Sequence, residues 1–365
     1  MNLDIASPRA NQAPARLVRL RKWIAMLFSS PLNTGLTLLF GGLLYFSIPP
    51  LMRWMVFDAV LLDTDPQACR DAVGACWSFV RVKSSQILFG IYPSDERWRP
   101  ALSCALIVVL LAWSVRPSSW KPALAVVWMV VMAWIIWLMG GGFGLIPVPS
   151  TLWGGLPVTL ILTVSAIGLG FPIGVVLALG RRSTMPGVRM LCVVFIESVR
   201  GLPLLSILFV ASIMLPLFLP EMLLPDKFSR ALVALTLFAA AYFAEVVRGG
   251  LQAMPKGQYE AANSLGLPYW RTQQLVILPQ AIRIVIPALA NTIIVMIKNT
   301  SLVMVVGLFD LISSGKAALA DPAWPSPSAE TFLFIGAIFF IICFTFARFA
   351  DFLERKGKTF GLGSS

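Results

Sequence analysis

The sequence predicts an all-α integral membrane protein of about eight spanning helices, since its apolar runs match the roughly 17 to 25 residues that cross a bilayer core as a helix. Composition agrees: 58% of the 365 residues are apolar and 13% charged, mean hydropathy is +0.82, and a soluble domain holds about 45 to 50% apolar residues. Lys and Arg also collect between alternate runs, as expected where positive charge resists translocation.

The candidate spans are 32–52, 100–115, 122–139, 154–180, 201–219, 231–247, 284–306 and 331–347, the second and sixth being short. Residues 1–30 are polar and basic without an apolar core, which predicts no cleaved signal peptide and makes the run from Leu32 the first membrane-targeting element. With both termini cytoplasmic, the inner segments carry Arg9, Arg16, Arg19, Arg21, Lys22, Arg116, Lys121, Arg181, Arg182, Arg189, Arg248, Lys256, Arg271, Arg283, Arg348, Arg355, Lys356 and Lys358. The short outer loops hold only Lys227, Arg230 and Lys316. Topology and anionic lipid therefore account for the net charge of +12, and no nucleic-acid partner is needed.

The expected organisation is a cytoplasmic tail at 1–31, a membrane extension at 32–139 with an outer segment at 53–99, a transmembrane domain at 150–352, and a tail at 353–365. A charge-free Gly/Pro-rich connection, GGGFGLIPVPSTLW at 140–153, separates the two membrane regions. The outer segment carries Trp77, Phe79, Phe89, Tyr92 and Trp98, residues suited to the membrane surface. It also holds Cys69 and Cys76, for which a disulfide and a pair of free thiols are both open. Cys104, Cys192 and Cys343 lie in apolar runs, where a thiol packs as a small hydrophobe. Cysteine spacing suggests no metal site.

Ionisable residues fall at or near membrane depth: Glu197 and Arg200, Glu245, and Lys298. Each costs a few kcal/mol if unpaired at the bilayer centre, so they must meet one another, water or a pathway. Arg248 fits the headgroup boundary, and for Glu197 and Arg200 boundary and pathway are equally open. Gly201 and Pro203 predict a broken helix there, the kind of break at which transporters bind substrate or bundles simply kink.

Between two spans lies a polar island, KGQYEAANSLGLPYW at 256–270, within a predicted cytoplasmic loop at 248–283. Pro255 suits a first helical position, Gly266 a C-cap, and Pro268 a stop, giving a helix of about three turns. Tyr259, Ala262 and Leu265 recur every third residue as an apolar stripe, suited to another protein's groove or to the membrane surface.

The run Glu260-Ala261-Ala262, then Gly266 and Val276-Ile277-Leu278-Pro279, resembles the EAA signature of ABC-importer permeases. Further likenesses are GGLPVTL at 154–160, ESVRGLPLL at 197–205, AYFAEVVRGGL at 241–251, LPQAIRIVIPALAN at 278–291 and KNTSL at 298–302. Together they resemble the polar amino-acid branch, whose fold is the type I importer permease with a core of five helices, here from Gly154 onward. The three-helix N-terminal extension with LFGIYPSDERWRP at 88–100 looks like the M-type permease of general L-amino-acid importers, including the glutamate, glutamine, aspartate and asparagine type. Departures are Leu202, where many relatives have Thr, and Asn299, where Asp is common; the missing carboxylate weakens selection of cationic side chains.

The resemblance implies that Gln258, Tyr259, Glu260, Ala261, Ala262, Leu265 and Gly266 couple to a cytoplasmic ATPase. It also implies two ATPase subunits, a second and different permease chain, and a periplasmic amino-acid-binding protein, in a bacterial inner membrane. This chain lacks GxxxxGK[ST], so ATP and Mg belong to the partners and the chain binds no cofactor. For the substrate pathway the candidates are Glu245 for an ammonium, and Arg200 or the amides near Gly201 for a carboxylate. Asn299, Thr300 and Ser301 are candidates for neutral hydrogen bonds, and Lys298 for an ion pair with an acidic residue. A secondary carrier is the alternative, opposed by the EAA run. With no His, no metal cluster and no paired carboxylates at helical spacing inside a span, catalysis by this chain is poorly supplied.

Overall fold

A computed structural model describes residues 25–358. The basic residues expected in the N-terminal cytoplasmic tail before residue 25 lie outside the described residues, as does the tail from residue 359 onward. Packing divides the chain between Ser78 and Phe79.

In the first unit, α1 (Pro31–Met52) starts where the Ser30 hydroxyl accepts from Asn33 N at 3.2 Å and Pro31 takes the first helical position, which lacks an N–H partner anyway. None of its residues is buried, as suits a helix apolar all round. A short α2 (Pro66–Asp71) is capped by Asp65, whose carboxylate accepts from Gln67 N at 2.9 Å. Cys69 and Cys76 form a disulfide with Cα atoms 5.5 Å apart. Trp77 Nε1 donates to Met55 O at 2.9 Å and ties the disulfide loop to the end of the first span.

The second unit begins within α3 (Trp77–Phe89) and continues through α4 (Trp98–Ser114) and α5 (Ala123–Gly140). Next come α6 (Gly155–Arg181), α7 (Pro186–Gly201), α8 (Leu204–Phe209) and α9 (Lys227–Gln252). The chain ends with α10 (Lys256–Ser264), α11 (Leu278–Ile284), α12 (Ile286–Asn299), α13 (Leu311–Leu319) and α14 (Ser328–Lys358). Seven described helices are long and apolar enough to span, and the bent pair of 186–201 and 204–218 makes an eighth.

The centre is α9, whose most apolar stretch is 67% buried, against 6% in α14. It lies so close to α6 that a Cβ on Gly170 would come 3.0 Å from Ala239 Cβ, and one on Gly174 would come 2.7 Å from Phe243 Cβ. Small residues there let two backbones approach where lipid provides no hydrophobic drive between helices. The same core takes in Tyr92, Ile107, Ile135 and Met139, so α4 and α5 are packed onto the later helices.

At one end of the bundle, Gly154 and Gly155 pair in parallel with Phe309 and Asp310. Gly155 has φ +72°, and a Cβ there would fall 2.0 Å from Leu88 O, so only glycine fits. Lys83 pairs with Asp321 at 2.5 Å and holds α3 to the connection before α14. Asp226 caps α9, its carboxylate accepting from Ser229 N at 3.3 Å and from Ser150 Oγ at 2.5 Å. Partial burial raises the pKa of the Asp226 carboxyl, but the hydrogen bonds from Ser150, Ser229 and Phe228 outweigh it and hold it below the usual carboxylate range.

The predicted break is present. α7 ends at Gly201, Leu202 is extended at ψ 140°, Pro203 precedes α8, and the two helices meet at 104°. Proline removes an N–H and pushes its predecessor out of helical backbone, so no helix runs through. A second irregularity follows α12: Thr300–Val306 tightens to 3-10 geometry and stops at Gly307, with φ +79°. Val303 and Val306 share a core with Leu204 and Leu208, so both irregular segments lie side by side.

Candidate functional site: the polar helix and the ion cluster behind it

Helix α10 begins after Pro255, which caps rather than occupies the first turn. It ends in a Schellman motif, where Gly266 at φ +69° lets its N–H reach Asn263 O at 2.9 Å and Leu267 N reach Ala262 O at 3.1 Å. The expected stripe does not act as one surface. Ala262 is 2% exposed, and Tyr259 packs against the core of Leu179, Leu251 and Ile277, whereas Leu265 is 78% exposed. A period of three drifts around a helix of 3.6 residues per turn, so Tyr259 and Ala262 seat α10 on its own chain. Gln258 is likewise held, its Oε1 accepting from Gln280 Nε2 at 3.0 Å. The outward face consists of Gly257, Glu260, Ala261, Ser264 and Leu265, continued by Tyr269 and Trp270.

Behind α10 the ends of three helices meet in an ion cluster. Glu245 of α9 accepts from Arg248 at 2.9 Å and 2.5 Å, and lies 3.4 Å from Arg181 of α6 and 3.5 Å from Arg200 of α7. Arg181 also pairs with Glu197 at 2.8 Å. The Arg200 guanidinium stacks 5.8 Å above the Tyr242 ring, and its Nε is buried without a hydrogen-bond partner. Three guanidiniums thus face two carboxylates. Glu245, the candidate for a substrate ammonium, is paired with arginines in this structure, and the cluster carries excess positive charge. Arg248, expected at the headgroup boundary, is part of the same cluster.

Adjacent Arg182 turns the other way. Its Nη1 donates to Leu251 O at 2.7 Å and to Tyr259 Oη at 3.3 Å. A cavity of about 110 Å³ lies under this contact, lined by Leu179, Arg182, Leu251, Tyr259, Tyr269 and Gln273. Arg181 and Arg182 were read from the sequence only as topology markers. Their signal is position: they follow a run free of charge from residue 122 to 180.

Gly201 ends α7 and is exposed. The remaining pathway candidates, Lys298, Asn299, Thr300 and Ser301, stand at the α12 break, and no ion pair or hydrogen bond joins them to the cluster among the described residues. Lys298 is exposed and has no salt-bridge partner among the described residues, contrary to its expected ion pair. Thr300 is 2% exposed, and its hydroxyl donates to Ile297 O at 2.7 Å; Ser301 donates to Lys298 O at 2.8 Å. Both hydroxyls thus serve the local backbone of the break. Among the described residues no group of three or more Cys, Asp or Glu is arranged to hold a metal.

A helical membrane bundle with a protruding, glycine-capped polar helix between two spans is the setting in which the family comparison decides. Residues 170–358, from mid-α6 through α14, match the model for the binding-protein-dependent transport system inner membrane component. The chain belongs to this family. The match takes in the ion cluster and α10, and it starts after the N-terminal extension. The extension is shared by relatives over their whole length. The chain is 46% identical to the inner membrane amino-acid ABC transporter permease protein YhdY of Escherichia coli K12, over 96% of both chains. It is 36% identical to the glutamate/glutamine/aspartate/asparagine transport system permease protein BztC of Rhodobacter capsulatus, over 97% of both. A crystal structure of an amino acid ABC transporter with histidines aligns at 34% identity over 55% of this chain and 92% of that one, with a TM-score of 0.49. As a component of such a transport system, the chain is a multi-pass inner-membrane permease.

Proposed function

We propose that this chain is one permease subunit of an ATP-driven importer that moves amino acids, acidic and amide types among them, into the cytoplasm by alternating access. The names of the two full-length relatives support the substrate class. The observation that carries the coupling role is the outward face of α10, a stripe of small and apolar residues, Gly257, Ala261, Ser264 and Leu265, with Glu260 beside it. Small residues let a partner's groove close on the helix backbone, the helix-in-groove mode of recognition.

In this reading two ATPase subunits hydrolyse ATP with Mg and bind that face, and this chain holds no cofactor. A second, different permease chain completes the pathway, and a periplasmic binding protein delivers substrate to the end where Gly154 meets Phe309. Both termini and α10 are cytoplasmic, and α1 rests in the lipid bilayer. The excess positive charge around Arg200 suits a substrate carboxylate, and Glu245 organises the guanidiniums. Asn299 and the α12 break line the same route from beside α8. An arginine at the centre of the outward face has no room in a groove, so Ala261→Arg should abolish co-purification of the ATPase with the permease pair. An ATPase that stays bound to that variant would remove the coupling role from α10.

A further inference from the structure

We propose that Arg182, acting with Arg181, is the positioning residue that transmits movement of α10 to the broken span α7–α8. This inference rests on the reading of α10 as the ATPase-docking helix and adds the route by which docking reaches the membrane.

The two arginines are neighbours in sequence and grip opposite partners. Arg182 donates to the Tyr259 hydroxyl at 3.3 Å and lies 5.9 Å above its ring, so it contacts the inward face of α10 in two ways. Arg181 reaches Glu197 of α7 at 2.8 Å and Glu245 of α9 at 3.4 Å. Any shift of Tyr259 therefore loads the end of α6, and through it the helix that breaks at Gly201. Arg182 also donates to Leu251 O at 2.7 Å, in the last turn of α9, where a cation complements the helix dipole. It thereby pins α6 to the stem from which α10 hangs.

The surroundings suit two arrangements better than one. The cavity of about 110 Å³ borders both Arg182 and Tyr259. Gln273, 4% exposed, places its Oε1 in this region without a hydrogen-bond partner. An unpaired buried acceptor costs free energy that a rearrangement can recover. By contrast, the core next to it, from Ala178 to Ala281, is closely packed: a Cβ on Gly250 would fall 2.5 Å from Ala281 O. The soft contact is the Arg182–Tyr259 seam, and the rigid parts lie on either side.

The test uses the whole complex, permease pair, ATPases and binding protein, in proteoliposomes. It reads the ratio of ATP hydrolysis with substrate-loaded binding protein to hydrolysis without it. Arg182→Ala should lower that ratio by about fivefold or more, the lower end of typical coupling, while the ATPase still co-purifies. Tyr259→Phe should lower it as well, and the double variant should do no worse than Arg182→Ala alone, since both remove one link. Arg182→Lys, which keeps a donor, should restore part of the ratio. An unchanged ratio in Arg182→Ala, or additive losses in the double variant, would overturn the proposal. Should Arg182→Ala fail to assemble, Tyr259→Phe carries the test alone, and an unchanged ratio there overturns it. Failure of the underlying reading looks different: the ATPase then remains bound when Ala261 is replaced by Arg.

Discussion

Asp226 shows how much a single polar residue contributes at the end of a buried helix. Its carboxylate caps α9, the most buried span, and also accepts from Ser150 in the connection before α6. Replacing such a cap by Ala typically costs about 1 kcal/mol, so Asp226→Ala should lower the thermal stability of the detergent-solubilised protein at pH 7. The pH dependence follows from the depressed pKa of the folded state. The charge-dependent part of the stabilisation is fully present above the unfolded value of about 3.9 and disappears as pH falls through the lower folded value. The gap between wild type and Asp226→Ala should therefore narrow below about pH 4; a gap that widens on acidification would contradict the assignment. The same scale shows why the surroundings of Glu245 are not legible from residues alone. A carboxylate at membrane depth signals a required partner, but only Arg248 lies on its own helix, three residues on, whereas Arg181 and Arg200 come from α6 and α7, Arg181 being 64 positions away.

At the scale of elements, the α6–α9 seam is the part of the fold with least tolerance. Gly174→Val would drive a side chain into Phe243 and the Ala240 carbonyl, and overpacking of this kind costs about 1 to 3 kcal/mol. Gly168→Ala on the same helix meets nothing within 4 Å and should be neutral. Thermal unfolding of the two variants checks this, and equal losses would mean that the seam is not close-packed. Elements were the most legible feature of the sequence, because spans, the Gly201–Pro203 break and the polar helix each depend on local chemistry: apolar length, a missing N–H, a glycine able to adopt positive φ. The face that α10 buries was not legible. Tyr259, Ala262 and Leu265 look equivalent by spacing, and only tertiary packing separates the two that are covered from the one that is not. The run 231–247 looked short for a span because α9 extends it with polar ends, Lys227 and Gln252, that composition alone trims away.

At the scale of the whole molecule, the polar chemistry described above belongs to the second unit and gathers at the two ends of its helical bundle. One end holds the Asp226 cap, the Lys83–Asp321 pair and the Gly154–Phe309 bridge. The other holds the ion cluster and α10. Between them lie two adjacent broken segments, at 201–203 and 300–306, packed beside each other through Leu204, Leu208, Val303 and Val306. This arrangement suits a machine worked from one end and loaded from the other. The central claim, that this chain imports amino acids with energy from partner ATPases, is tested most directly by uptake of labelled glutamate and glutamine into proteoliposomes. These would contain the assembled complex, with ATP enclosed and the binding protein outside. Uptake should require both ATP and binding protein and should vanish with a non-hydrolysable analogue; uptake driven by an ion gradient without ATP would contradict it.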